Sequence, residues 1–191
     1  MLPGIDTAQV LRASVKGGPR LAYLTLFGIM GGVYFWGITG AIGISAILLA
    51  SDSLYTIFQA VGAGYLLYLG VLMIKEARTS QGLVLTNTES LDSPLKSLRR
   101  AFMVTFTNPK NGAFYVAVIP QFLPHEMNPI LGGFLLATIH NTSCLIWFSG
   151  VILLTKKARS FFGRAAVGRR IETISGVALI AFAISMVLEM V

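Results

Sequence analysis

Three short polar stretches in an otherwise strongly apolar chain carry groups able to bind or move something. The first is Asn108-Pro109-Lys110-Asn111, set inside AFMVTFTNPKNGAFYVAVIPQFLP at 101–124. Proline in a helix interior removes an N–H and frees carbonyls of the preceding turn, and hydrocarbon tolerates neither those groups nor a lysine without a use for them. If 97–107 is one helical piece and Pro109 opens another with Asn108 as its cap, the result is a discontinuous helix. In transporters the N-terminus of such a half-helix points at an anionic group of the cargo, and Lys110 would add a full positive charge there. The alternative is a simple cap at the membrane surface, with Lys110 reaching lipid phosphate. The residues alone leave both open.

The second stretch, Pro120-Gln121, offers a kink and a hydrogen-bonding amide further along the same run. The third is His140-Asn141-Thr142-Ser143, followed by Cys144, close to the middle of an apolar segment. Such side chains either hydrogen-bond a neighbouring helix or line a substrate or proton path, and His140 is the titratable group set deepest. All of this is chemistry of binding and passage. No nucleophile is paired with a base, no metal-ligand spacing occurs and no Gly-rich phosphate loop is present, so the sequence reads as a non-enzyme with no cofactor and no bound metal.

The elements that must position these groups follow from composition. Of 191 residues, 54% are hydrophobic and only 12% charged, far more apolar than a soluble core requires. Charge-free segments run through 21–50, 54–74, 111–124, 127–155 and 173–188. Most reach the roughly 20 residues that cross a bilayer, and 111–124 must borrow residues upstream. The expected fold is all-α: a polytopic helical membrane protein of about five transmembrane helices, one of them broken at Asn108-Pro109. It forms a single transmembrane domain, 1–191, with a flexible polar loop at about 75–100. Gly28 and Gly32 form a GxxxG face suited to close helix packing. Trp36 and Trp147 read as packing residues or interface anchors, and Cys144 as a small packing residue.

Charge gives the orientation. The 15 Lys and Arg fall in three groups, at 12–20, 75–110 and 156–170, between alternate apolar runs, whereas the other connections and the C-terminal end carry only Asp52, His125, Glu126 and Glu189. The positive-inside rule therefore places the N-terminal segment and the Lys/Arg-rich loops in the cytoplasm and Val191 outside. Topology accounts for the basic residues, so no nucleic-acid partner is implied.

PGIDTAQVLRASVKGGPRLAYLTLFGIMGG, GAGYLLYLGVLMI, FTNPKNGAFYVAVIPQF and IETISGVALIAFAI, in that order, resemble the LysE/RhtB family of bacterial amino-acid exporters across nearly the whole chain. The most specific parts are Pro3-Gly4-x-Asp6, with Ile5 where the family has a second proline, and Asn108-Pro109-Lys110 followed by Pro120-Gln121-Phe122. The resemblance implies a secondary transporter that exports neutral or basic amino acids, homoserine- or threonine-like compounds or close relatives. Export would be driven by protons, through a bundle that self-associates in the bilayer. Lys110 and the half-helix would then hold the carboxylate, Asp6 the amino group or a proton, and His140 would couple protons. Two departures stand out. The family has a further span before the Pro-Gly motif, so an apolar helix is expected ahead of Pro3, either encoded upstream or lost in a truncated chain whose Gly28–Gly32 face pairs with another protomer. The family also commonly carries histidine where this chain has Trp36, a change that bears on selectivity or proton handling. A truncated or accessory membrane protein, or an inorganic-ion exporter, is the alternative function.

Overall fold

The computed structural model describes residues 5–50, 52–79, 93–123, 127–162 and 164–188. It is helical almost throughout: α1 (Ile5–Ala50), α2 (Asp52–Thr79), α3 (Pro94–Thr107), α4 (Pro109–Phe122), α5 (Pro129–Leu153), α6 (Thr155–Phe162) and α7 (Ala165–Leu188). Four of these, α1, α2, α5 and α7, are long and apolar enough to cross a membrane. A further crossing is divided between α3 and α4, each of 14 residues and therefore about 21 Å long. The outer surface is apolar, with Ile139, Ile146 and Leu153 all exposed, whereas Thr7, Thr105 and Asn141 are buried inside. That inversion of a soluble protein's pattern is what lipid as solvent demands.

Helix ends follow local rules. Ser93 caps α3 ahead of Pro94, and Asn128 caps α5 by accepting from the N–H groups of Ile130 and Leu131 at 3.0 and 3.1 Å, ahead of Pro129. Helical structure extends into the expected loop at both ends, to Thr79 and from Pro94, so Lys75, Arg78, Lys96, Arg99 and Arg100 stand on helices.

The N-terminal basic segment, expected only to precede the first span, is itself helical. α1 is bent at Gly18, whose φ of 73° and ψ of −174° suit glycine alone; a Cβ there would meet no other atom, so backbone conformation and not space requires the residue. Pro19 then opens the second arm with its φ already fixed and no N–H to satisfy. The bend doubles the chain back. Asp6 and Gly32 both lie against Thr105, although their separation of 26 positions would span about 39 Å in one continuous helix. Val10, Leu11 and Ala13 of the first arm share a core with Ala22, Leu26 and Ile29 of the second and with Cys144, Phe148, Val151 and Ile152 of α5. Ser14 Oγ and Thr155 Oγ1, 2.5 Å apart, tie the arm to the end of α5.

Around the second arm of α1 stand α3, running parallel, and α5, antiparallel. A side chain at Gly32 would lie 2.7 Å from Thr105 Cβ, and one at Gly28 would strike the Leu98 carbonyl, so α3 fills the Gly28–Gly32 face. This corrects the expectation that another protomer covers it. α2 and α7 form a second antiparallel pair, joined to the rest through α4 by the cluster Ala63, Leu66, Ala117, Ala183 and Met186.

Candidate functional site

The break between α3 and α4 lies midway along the bundle. Thr107 ends one helix, Asn108 is extended with φ −76° and ψ 107°, and Pro109 begins the next. In a continuous helix the Thr105 carbonyl would accept from residue 109 and the Phe106 carbonyl from residue 110. Proline has no N–H, and the extended residue displaces the second donor, so two carbonyls need partners. Trp36 supplies both: its indole Nε1–H donates to Thr105 O at 3.3 Å and to Phe106 O at 3.1 Å. The ring also covers the first turn of α4, since a side chain at Gly112 would lie 2.7 to 2.9 Å from three ring carbons. Phe35 and Phe102 pack on Phe106 with centroids 4.8 and 5.9 Å away. Trp36, expected as a packing residue, is therefore the cap of the broken helix. The freed carbonyls at Pro109 imply that some donor must exist, but nothing in the sequence says which helix offers it.

On the α4 side, the N–H groups of Asn111 and Gly112 donate to Asn108 O at 3.1 and 3.2 Å. These two donors are thus engaged within the turn, at the positive end of the α4 dipole. Lys110 stands apart from Lys96, Arg99 and Arg100: it is in the first turn of α4, about 21 Å of helix beyond the start of α3, while the other Lys and Arg stand on α1, α2, α6 and α7 and, for Arg164, between the last two. α4 continues through Pro120 and Gln121 to Phe122. Pro3 and Gly4 lie outside the described residues.

At the same level the structure brings together Asp6, Thr105, Tyr115, His140, Asn141 and Cys144, from α1, α3, α4 and α5. Asp6 stands beside the Thr105 hydroxyl, although neither Asp6 Oδ1 nor Thr105 Oγ1 completes a well-formed hydrogen bond. Asp6 is also within electrostatic reach of Tyr115 and Cys144. Tyr115 Oη and His140 Nδ1 are 2.5 Å apart, with ring centroids at 5.7 Å, and the direction of that bond follows the imidazole tautomer. Asn141 is 1% exposed and donates through Nδ2 to Met30 O at 3.2 Å. Thr142 and Ser143 turn back on their own helix, to the carbonyls of Thr138 and Ile139. The island at 140–143 thus divides: two residues face the polar interior and two are exposed. Among the described residues, no three His, Cys, Asp or Glu side chains gather as a metal site would require.

Comparison with known proteins agrees with this architecture. The LysE type translocator family matches residues 1–190. An uncharacterised membrane protein of Bacillus subtilis, YrhP, is 26% identical over 190 residues, covering 96% of this chain and 90% of its own. A leucine efflux protein of Salmonella typhimurium is 30% identical over 182 residues, covering 88% of this chain and 83% of its own. No solved structure matches.

Proposed function

The chain belongs to the LysE family of translocators, multi-pass membrane proteins rather than enzymes, and from that premise we propose that it exports amino acids from the cytoplasm by proton-coupled secondary transport. The observation that carries the proposal is a helix broken at mid-height beside a buried polar group. Hydrocarbon depth excludes irregular backbone unless it is buried in protein or lines a passage. Here the break adjoins a carboxylate, a Tyr115–His140 pair and a lysine. A zwitterion needs one site of each sign, and α4 with Lys110 suits the carboxylate while Asp6 suits the ammonium or the proton. The name of the Salmonella relative makes leucine the first cargo to test, alongside threonine, homoserine and lysine.

Cells expressing the chain and loaded with a labelled amino-acid panel should release at least one member faster than cells without it. Collapsing the proton gradient should remove the difference. Release unaffected by the protein for every member would refute the exporter; release that survives the collapse would refute proton coupling alone. The orientation rests on the charges at α1, α2, α3 and α6, which the positive-inside rule assigns to the cytoplasm. A reporter active only outside the cytoplasm should accordingly work after Ser53 and fail after Ser90, and activity at Ser90 would reverse the topology.

A further inference from the structure

Between the spans α5 and α7 the chain turns through α6, on the basic side of the bundle. Leu154, with φ −103° and ψ 30°, ends α5, and its N–H returns to the Gly150 carbonyl. Thr155 Oγ1 then ties the start of α6 to Ser14 on the first arm of α1 and to the Ile152 carbonyl. At the far end the Arg164 N–H donates to Phe161 O at 3.2 Å, and the Arg164 carbonyl accepts from Val167 and Gly168, so α7 starts at once. A helix of eight residues, about 12 Å long, is thus fixed at the level where α5 ends and α7 begins.

Its sequence, TKKARSFF, is amphipathic: Ala158, Phe161 and Phe162 recur at the spacing of one helical face, with Lys156, Lys157 and Arg159 between them. Lys157, Arg164, Arg169 and Arg170 are exposed. So are Leu153, at 76%, Leu154, at 57%, and Phe161, at 49%. Orientation alone does not require this composition, because the positive-inside rule counts Lys and Arg and is nearly indifferent to acids. Between 75 and 100, five Lys and Arg are offset by Glu76, Glu89 and Asp92, which leaves +2; between 155 and 170, six Lys and Arg meet no Asp or Glu, which leaves +6. Glu172, the next acid, is half-buried with its Oε2 shielded from solvent. Cations set beside exposed leucines and a phenylalanine match a headgroup that carries one net negative charge directly above acyl chains. A zwitterionic headgroup cancels its own charge, and free phosphate lacks the apolar part.

We propose that α6 and the first turns of α7 form a docking surface for anionic phospholipid, with Lys157, Arg164, Arg169 and Arg170 on the phosphate and Leu153 and Phe161 along the acyl chains. The surface is independent of what the chain transports. The purified full chain is melted in a neutral maltoside detergent with added dioleoyl-phosphatidylglycerol, dioleoyl-phosphatidylcholine or inorganic phosphate. Phosphatidylglycerol should raise the melting temperature, as a ligand of the folded state does, and the other two should not. The rise should shrink as sodium chloride goes from about 50 mM to about 500 mM, and a rise indifferent to salt would overturn the electrostatic basis. Each cation near an anionic lipid surface strengthens binding about fivefold. Lys157→Gln and Arg169→Gln should therefore each raise the half-effective lipid concentration about fivefold, and replacing all four cations by Gln should raise it about a hundredfold or more. Changing Lys75, Arg78, Lys96 and Arg99 to Gln removes the same charge from the other basic connection and should leave that concentration close to the parent's. An equal loss in the two fourfold variants makes the effect one of net charge and overturns the surface. A rise with phosphatidylcholine equal to that with phosphatidylglycerol, a rise with inorganic phosphate, or no rise with either lipid does the same. Should the fourfold variant not accumulate, the single variants decide, and half-effective concentrations equal to the parent's overturn the proposal.

Discussion

Lys110→Ala is expected to reduce amino-acid efflux to the level of cells lacking the protein, while the variant reaches the membrane in normal amount. The two halves of that expectation come from different physics. A lysine near the middle of a span costs about 2.5–3.5 kcal/mol on insertion scales, so a lysine with a merely structural place there could be removed with a gain in stability. The exporter proposed above gives it a use: with the positive end of α4 it would supply the field for a carboxylate, and losing a charge-assisted contact of about 1.5–3 kcal/mol lowers occupancy ten- to a hundredfold. Asn108→Ala preserves the backbone carbonyl that accepts from Asn111 and Gly112, so it too should leave the fold intact and lower efflux. Trp36→Ala is the contrast. It strips the Thr105 and Phe106 carbonyls of their donor and opens a cavity beside Gly112, at a cost of about 3–5 kcal/mol, and should therefore lower abundance as well as transport. Normal efflux by Lys110→Ala at normal abundance would return the lysine to a membrane-surface role.

The spans and the break were legible because each rests on a rule that tertiary context rarely overrides in lipid: apolar length, flanking charge, and the N–H that proline lacks. The doubling back of α1 is not legible in the sequence, although Gly17-Gly18-Pro19 carries its punctuation. Arg12 and Lys16 make the arm look like a polar approach to the membrane, and its apolar residues, among them Val10, Leu11 and Ala13, are too few and too scattered to register as a span. The place of Lys110 is hidden in the same way: sequence order sets it next to Lys96, Arg99 and Arg100, but those stand in the first half of α3 and Lys110 beyond its end. The pairings Tyr115–His140 and Trp36–Thr105 depend on how helices are rotated about their axes, which an all-round apolar helix does not encode in its periodicity. What the residues did announce was need: a proline-freed carbonyl requires a donor, and a buried histidine requires a partner.

Gly70→Val and Gly176→Val should each leave almost no folded protein in the membrane. α2 and α7 cross where a Cβ at Gly70 would lie 2.7 Å from the Gly176 carbonyl oxygen, and one at Gly176 would lie 2.6 Å from the Gly70 carbonyl oxygen. Even weak C–H···O contacts keep carbon and oxygen about 3.3 Å apart. The obstruction is backbone on both sides, and Ile180 and Ile74 close the flanks with Cγ1 atoms at 2.7 Å from the added atoms, so no change of rotamer relieves it. The helices must separate instead. Overpacking of this kind costs about 1–3 kcal/mol for a single methyl and more for a branched side chain, against a total stability of about 5–15 kcal/mol. In lipid the loss is not recovered elsewhere, because apolar side chains gain nothing by leaving hydrocarbon and helix association depends on close backbone approach. Beyond α2, α7 reaches the rest of the bundle through the small cluster at Ala117 and Ala183 and through Val167 and Ile171 against the α1–α5 core, so separating the pair removes its main support. Gly64 and Gly43 provide the control: a Cβ at either meets no atom within 4 Å, and Gly64→Ala or Gly43→Ala should match the parent in abundance and in detergent melting, helped by alanine's better helix propensity. Normal accumulation of Gly176→Val would show that α2 and α7 do not cross at these two glycines.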